Sequence, residues 1–152
     1  MKSVTSVEVL LAGTRVGELV SVPRRGTFFA YDEQWLATGF NLSPLNMEFK
    51  SSPQAAPDPH LFGGLMGVFA DSLPDGWGML LMDRFFLRER GIDRRAITAL
   101  DRLAYMGDRA MGALEYRPVL EKSETDSSLD LERLYQAALE AYEGDTETTL
   151  DA

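Results

Sequence analysis

Cysteine is absent from the 152-residue chain, and histidine occurs only once, as His60. Without cysteine the chain can form no disulfide and perform no thiol chemistry, and a zinc site would have to be built almost entirely from carboxylates. We therefore expect no metal site. His60 lies in a proline-rich stretch with no second histidine to accompany it, and we interpret it as a solvated loop residue.

Long apolar runs are also lacking. The longest stretch without a polar side chain, residues 61–70, is about half as long as a membrane-spanning helix needs to be. The N-terminus has neither a secretory-signal pattern nor a transit-peptide pattern, because Glu8 interrupts its first apolar stretch. These features predict a soluble, cytoplasmic protein with no membrane partner.

Basic residues are outnumbered: 15 Lys and Arg face 24 Asp and Glu, for a net charge of −9. Residues 121–152 hold 10 of the acidic residues and 2 of the basic ones, so the rest of the chain is close to neutral. An acidic protein binds DNA poorly by itself, because such binding depends on neutralising phosphates. We expect no direct contact with nucleic acid.

Short strand-like and helix-like segments alternate with glycine and proline turns, which predicts an α+β fold with three helices packed on a small antiparallel sheet. The expected strands are residues 6–11, 14–21, 27–31 and 111–116, with a further candidate at 47–49. The expected helices are residues 61–71, 77–90 and 93–104. Asp93 is the expected N-cap of the last helix, Gly91 should end the one before it, and residues 50–60 should form a surface loop.

The C-terminal part of the chain differs in composition from the rest. We expect one compact unit over residues 1–118, a polar linker over 119–128, and an amphipathic helix with an acidic tail over 129–152. The apolar face of that helix consists of Leu131, Leu134, Tyr135, Ala138 and Tyr142. Because a helix of this length is marginal in water, we expect it to pack at least partly on the preceding unit.

Motifs of the common catalytic classes do not occur, including GxSxG, HExxH and the kinase catalytic loop. The glycine-rich residues 63–67 have a weak similarity to a phosphate-binding loop, but they lack its spacing, and we interpret them as allowing close helix packing. Asp71 and Asp75 could form a carboxylate pair, yet Asp75 is better placed to cap the helix that begins near Trp77. The sequence therefore predicts no catalytic residue and no cofactor.

Trp77 has two interpretations. It shares one helical face with Leu81 and Phe85, and this spacing favours ordinary core packing. Alternatively, the turn at residues 74–76 presents Trp77 at the surface, where a tryptophan often dominates the energy of an interface.

Arginine is concentrated in residues 84–109, where seven arginines are interleaved with four acidic residues. Such compensated charge favours solvated helix faces with local ion pairs. If Trp77 is a surface residue, this region supplies its neighbours in a partner-binding surface. The candidate partner-binding residues are Asp75, Trp77, Arg84 and Arg88.

Several short segments follow one another in an order that is specific as a set. They are Phe28-Phe29-Ala30-Tyr31-Asp32, Trp35-Leu36, Leu42-Ser43-Pro44, Phe69 with Asp71-Ser72-Leu73-Pro74-Asp75-Gly76, Leu103-Ala104-Tyr105-Met106-Gly107-Asp108, and Gly112-Ala113-Leu114-Glu115-Tyr116 with Pro118. This set, over residues 7–118, resembles the N-terminal subdomain of HipA-type serine/threonine kinases, the toxins of bacterial HipBA toxin–antitoxin modules.

The resemblance implies a small α/β unit that precedes a kinase core, and the family's ATP-binding loop, catalytic aspartate and metal-binding residues belong to that core. One interpretation is therefore a non-catalytic module that contacts the HipA-like kinase core, the HipB-like DNA-binding antitoxin or a second copy of itself. Another is a short protein that binds and restrains a separately encoded HipA-like kinase, an antitoxin role. A third, an independent small enzyme, would need a carboxylate or arginine cluster in a pocket, which the sequence does not indicate.

Overall fold

The computed structural model describes residues 4–110 and 112–119. Its strands are β1 (Ser6–Leu11), β2 (Thr14–Val22), β3 (Gly26–Tyr31), β4 (Gln54–Ala55) and β5 (Leu114–Pro118). Its α-helices are α1 (Glu33–Thr38), α2 (Gly67–Ala70), α3 (Gly76–Arg90) and α4 (Ala99–Met106), and 3-10 turns span Leu61–Gly64 and Arg94–Ala96. The predicted C-terminal helix, and the predicted linker except for Val119, lie outside the described residues.

The strands form one antiparallel sheet in the order β4-β3-β2-β1-β5. The β1–β2 hairpin turns at Ala12 and Gly13, which both have positive φ values, 50° and 80°, as a tight two-residue hairpin requires. The three predicted N-terminal strands and the returning strand are confirmed, although β5 begins at Leu114 instead of residue 111. An antiparallel sheet with several helices confirms the predicted α+β class.

The strand predicted at residues 47–49 is wrong, and the fourth strand lies instead at Gln54–Ala55, inside the predicted loop. The side chain of Gln54 explains the difference. Its Oε1 accepts from the backbone N–H of Glu48 at 2.9 Å, and its Nε2 donates to the carbonyl of the same residue at 2.7 Å. This backbone is thus satisfied by a side-chain amide and not by a strand ladder.

The helix predicted at residues 61–71 is wrong as one continuous element. Leu65 and Met66 are extended, with ψ values of 146° and 148°, and they separate the 3-10 turn from α2. Inside the turn, Phe62 and Gly63 adopt left-handed conformations, with φ values of 51° and 66°. The predicted close helix packing through glycine is not found either. A Cβ on Gly63 would meet Ala99 at an ordinary 3.7 Å, and one on Gly67 would meet nothing within 4 Å.

The third predicted helix begins later than expected, at Ala99 and not after Asp93. Asp93 does cap a turn, but only the short 3-10 turn, by accepting from Arg95 N–H at 2.9 Å. Thr98 caps α4 through a reciprocal capping box with Asp101. Asp101 Oδ1 also accepts from Val4 N–H at 2.7 Å, which attaches the start of the chain to this helix.

The core lies on one side of the sheet, which we name the first face. Its strand residues pack against apolar side chains of α1, α2 and α4. The principal members are Val7, Val9, Leu19, Phe29 and Tyr116 of the sheet, Trp35 of α1, Phe69 of α2, and Leu100 and Leu103 of α4. α3 lies against α4, where the rings of Phe86 and Tyr105 are 5.4 Å apart. None of the helices in the described residues is long and apolar enough to cross a membrane.

Candidate interaction surface on α3

Helix α3 has one buried side and one exposed side. Met82 and Phe86 are buried, and the carboxylate of Asp83 forms an ion pair with Arg102 of α4 on that same side. At about 100° per residue, a second set of side chains falls on the opposite side within an arc of about 120°. We name this set the outer α3 face: Trp77, Leu80, Leu81, Arg84, Leu87 and Arg88.

The ends of α3 are set by local chemistry. Asp75 Oδ1 accepts from Gly78 N–H at 3.0 Å and so caps the first turn, as the sequence predicts. Gly91 ends the helix in the left-handed conformation, also as predicted, and its N–H bonds to the carbonyl of Leu87 at 3.0 Å. The predicted site residue Asp75 therefore has a structural role, two residues before Trp77 at the exposed start of the helix.

Trp77 lies at the surface, and the core-packing interpretation is wrong. Its side chain is 67% exposed, and Leu81 is 48% exposed. Phe85 is half-buried because its ring packs on Tyr105, with ring centres 4.8 Å apart. The apolar spacing of these three residues is real, but α4 covers the stripe that contains Met82 and Phe86 instead.

Two more members of the outer α3 face, Leu80 and Leu87, were missed by sequence reasoning. Both are exposed, and with Trp77 they recur at i, i+3 and i+10. This recurrence is visible in the sequence, so a search for two apolar stripes on one helix would have found them. Together they make the surface more apolar than an ordinary solvent-facing helix.

The basic end of the outer α3 face carries Arg84 and Arg88, both exposed. Arg88 pairs with Glu89 at 3.4 Å, an exposed contact of small energetic value. Other arginines of the 84–109 stretch are used within the fold: Arg102 pairs with Asp83, and Arg109 stacks 5.2 Å from the Tyr105 ring centre. The structure thus places all four predicted site residues on α3 or at its cap. Arg84 and Arg88 form the basic end, and Asp75 and Trp77 lie at the start.

Groups with shifted pKa values lie inside the fold and not on α3. Burial raises the pKa of Tyr31, while its hydrogen bond from Leu42 N–H opposes the shift. Burial likewise raises the pKa of Tyr116 to about 12, opposed by the hydrogen bond with Ser72 and aided by the nearby charge of Asp71. Both tyrosines are internal hydrogen-bonding groups, so neither indicates catalysis.

Metal-ligating side chains are dispersed. Within residues 4–110 and 112–119, no three His, Cys, Asp or Glu side chains are grouped closely enough to hold an ion. His60 is exposed in its loop, where its backbone N–H bonds to Asp58. Among the described residues, the outer α3 face is therefore the candidate functional site.

A family model, the HipA N-terminal domain, matches residues 7–117. The match runs from β1 to β5 and includes every helix described above. The chain therefore belongs to the HipA N-terminal domain family, and the resemblance drawn from its sequence segments is confirmed. This domain is distinct from the kinase catalytic domain. No curated protein matches the chain.

Proposed function

We propose that this protein is a non-catalytic interaction module of a HipA-like toxin–antitoxin serine/threonine kinase system, and that it contacts the kinase through the outer α3 face. Family membership supports the connection to HipA. The observation that supports this particular surface is the exposure of Trp77 on a helix whose other side is already packed on α4.

The chemistry of the outer α3 face suits a protein partner. Tryptophan and arginine are the residue types that most often dominate binding energy at protein interfaces, and they are most effective where apolar neighbours exclude water. Leu80 and Leu81 supply such neighbours beside Trp77, while Arg84 and Arg88 lie at the edge. This arrangement fits a partner with an apolar pocket bordered by acidic groups.

The kinase is the partner that we propose first, either as the core of a longer HipA-like protein or as a separate subunit. The alternative function is that of a short protein that binds and restrains a separately encoded HipA-like kinase. A HipB-like antitoxin or a second copy of the chain could use the same surface. Calorimetry against the kinase, described next, tests the first of these partners.

The test is the substitution Trp77→Ala in the full chain, with binding measured by calorimetry against a HipA-like kinase from the same genome. Because Trp77 is largely exposed, we expect the free energy of unfolding to change by no more than about 0.5 kcal/mol. Binding should weaken by about 2 kcal/mol or more, roughly 30-fold. Leu45→Ala is the matched control, because Leu45 is 96% exposed and lies in a loop outside α3.

Equal binding by the Trp77→Ala and Leu45→Ala variants would remove the outer α3 face from the proposal. Absence of any binding by the unsubstituted chain would contradict the kinase as partner. Kinase autophosphorylation, measured with and without the chain, then separates the two functions. A restrainer lowers the rate in proportion to occupancy, whereas an interaction module leaves the rate unchanged or raises it.

A further inference from the structure

The thioether sulfurs of methionine are the oxidisable sulfur groups of this chain, because it contains no cysteine. Five of its seven methionines lie in the described residues. Three of these are no more than 5% exposed: Met47, Met66 and Met82. The other two, Met79 on α3 and Met106 on α4, are half-buried. A small oxidant needs access to the sulfur, so among the described methionines these two are the most open to it.

Met79 differs from Met106 in what its sulfur contacts. Arg102 of α4 donates from Nη1 to Met79 Sδ at 3.0 Å. The sulfur of Met106 receives no such bond within the described residues. Met79 thus combines access from solvent with a contact that joins two helices, and Met106 is a matched control that has the access without the contact.

The same nitrogen of Arg102 has two further acceptors on α3. Its Nη1 lies 2.5 Å from Asp83 Oδ1 and 3.7 Å from Met82 Sδ. The side chains of Arg102 and Asp83 are only 13% and 11% exposed. One cation therefore joins a largely buried carboxylate and two thioethers, and it helps to hold α3 against α4.

Oxidation of Met79 would change this arrangement, because a sulfoxide oxygen is a far stronger hydrogen-bond acceptor than a thioether sulfur. The 3.0 Å between Met79 Sδ and Arg102 Nη1 leaves no room for an oxygen between them, since an N–H···O bond alone needs about 2.9 Å. An oxygen that accepts from Arg102 must push the guanidinium away from Asp83. An oxygen that points elsewhere places a polar atom among the apolar side chains between the helices. Both outcomes weaken the contact between α3 and α4.

We propose that Met79 is a reversible oxidation site, at which a hydroperoxide converts the thioether to a sulfoxide and loosens α3 from α4. The sulfur attacks the terminal peroxide oxygen with a lone pair, so that an S–O bond forms as the O–O bond breaks. The sulfur is oxidised by one electron pair and the peroxide is reduced by it. The leaving oxygen takes up the proton of the transferred oxygen and departs as water or an alcohol. A methionine sulfoxide reductase, with a thiol as reductant, reverses the change.

The oxidation site and the outer α3 face lie on opposite sides of one helix. Met79, Met82 and Asp83 contact Arg102 of α4, whereas Trp77 faces solvent. Loosening α3 would therefore change how the outer α3 face is held on the domain. Any effect on kinase binding rests on the proposed function, whereas the oxidation and its effect on stability do not, so the experiment measures only these two.

Peptide mass spectrometry of the full chain, after brief treatment with hydrogen peroxide, measures which methionines gain oxygen. We expect Met79 and Met106 to be oxidised well before Met82, which is 3% exposed. Oxidation of Met79 no sooner than Met82 would overturn the proposal. The two methionine sulfoxide reductases, one for each epimer of the sulfoxide, should then remove the oxygen from Met79, and an oxygen that remains there would contradict the reversibility.

Thermal unfolding measures the consequence for the fold. Peroxide should lower the melting temperature of the unsubstituted chain by about 3 °C or more. The variant Met79→Leu should lose most of this decrease and the matched variant Met106→Leu should keep it; no decrease in the unsubstituted chain, or an equal decrease in both variants, would overturn the proposal. In the double variant Arg102→Leu/Asp83→Leu the ion pair is absent, so the decrease should be smaller, and a full decrease there would overturn the role of Arg102.

Discussion

Tyr116→Phe tests how the sheet is joined to the segment after α2. Tyr116 is 1% exposed, and its hydroxyl lies 2.6 Å from the hydroxyl of Ser72, which is also buried. The substitution removes a hydrogen bond worth about 1 kcal/mol and leaves a buried polar group without that partner, so the total cost is about 1–3 kcal/mol at pH 7. For a chain of this size the melting temperature should fall by roughly 2–12 °C.

The pH dependence gives this prediction a second, independent measurement. Burial raises the pKa of Tyr116 to about 12, while an unfolded tyrosine titrates near 10. Between these pH values the folded protein keeps a proton that the unfolded chain loses, so this contribution to stability is complete below pH 10 and declines as pH rises to 12. The loss amounts to about 3 kcal/mol.

The assay is urea unfolding of the unsubstituted and Tyr116→Phe proteins at pH 7 and at steps from pH 10 to 12. The unsubstituted protein should be more stable at pH 7, and the difference should shrink or reverse near pH 12 because only this protein carries the titrating phenol. Tyr31 titrates in both proteins and cancels in the comparison. A stability difference that stays constant from pH 7 to 12 would refute the buried-phenol argument, and no difference at pH 7 would refute the hydrogen-bond argument. Tyr105→Phe is the control, because that hydroxyl makes no hydrogen bond within the described residues.

Three other perturbations have defined outcomes. Asp101→Ala removes the carboxylate that accepts from two backbone N–H groups at 2.7 and 2.9 Å, so urea unfolding should show a loss of about 2–3 kcal/mol; a loss under 0.5 kcal/mol would contradict the capping role. Arg102→Leu leaves the largely buried Asp83 unpaired and should cost about 3–5 kcal/mol, with the double substitution Arg102→Leu/Asp83→Leu recovering much of it; no recovery would show that packing and not charge is responsible. Calorimetry of the isolated chain with Mg-ATP should show no binding heat, because phosphoryl transfer requires a phosphate cradle and a held metal ion; a micromolar dissociation constant would contradict the non-catalytic assignment.

Local chemistry explains which elements were predictable. The N-terminal strands follow from alternating apolar residues and from Gly13 in a turn that needs positive φ. Helix α3 follows from Asp75, a side chain that can cap, and from Gly91, a residue that tolerates the left-handed stop. Each of these signals acts over a few residues, so the amino-acid sequence alone contained it.

Competition between equivalent local signals explains the errors in the helices. Asp93 and Thr98 can both cap, and each does so, but only Thr98 begins an α-helix because the residues after it, Leu100 and Leu103, pack on the sheet. The left-handed Phe62 has no local signal at all, since a bulky residue disfavours that conformation.

The sequence by itself determined the three N-terminal strands, the returning strand, the ends of α3 and the family. Only the tertiary structure decided that Trp77 faces solvent. Helix α3 carries two apolar stripes, and periodicity reports that each stripe exists without reporting which one meets another element. Helix α4 packs against Phe86 through Tyr105, so the opposite stripe remains exposed. That choice depends on where a second helix lies, and no spacing within α3 contains it.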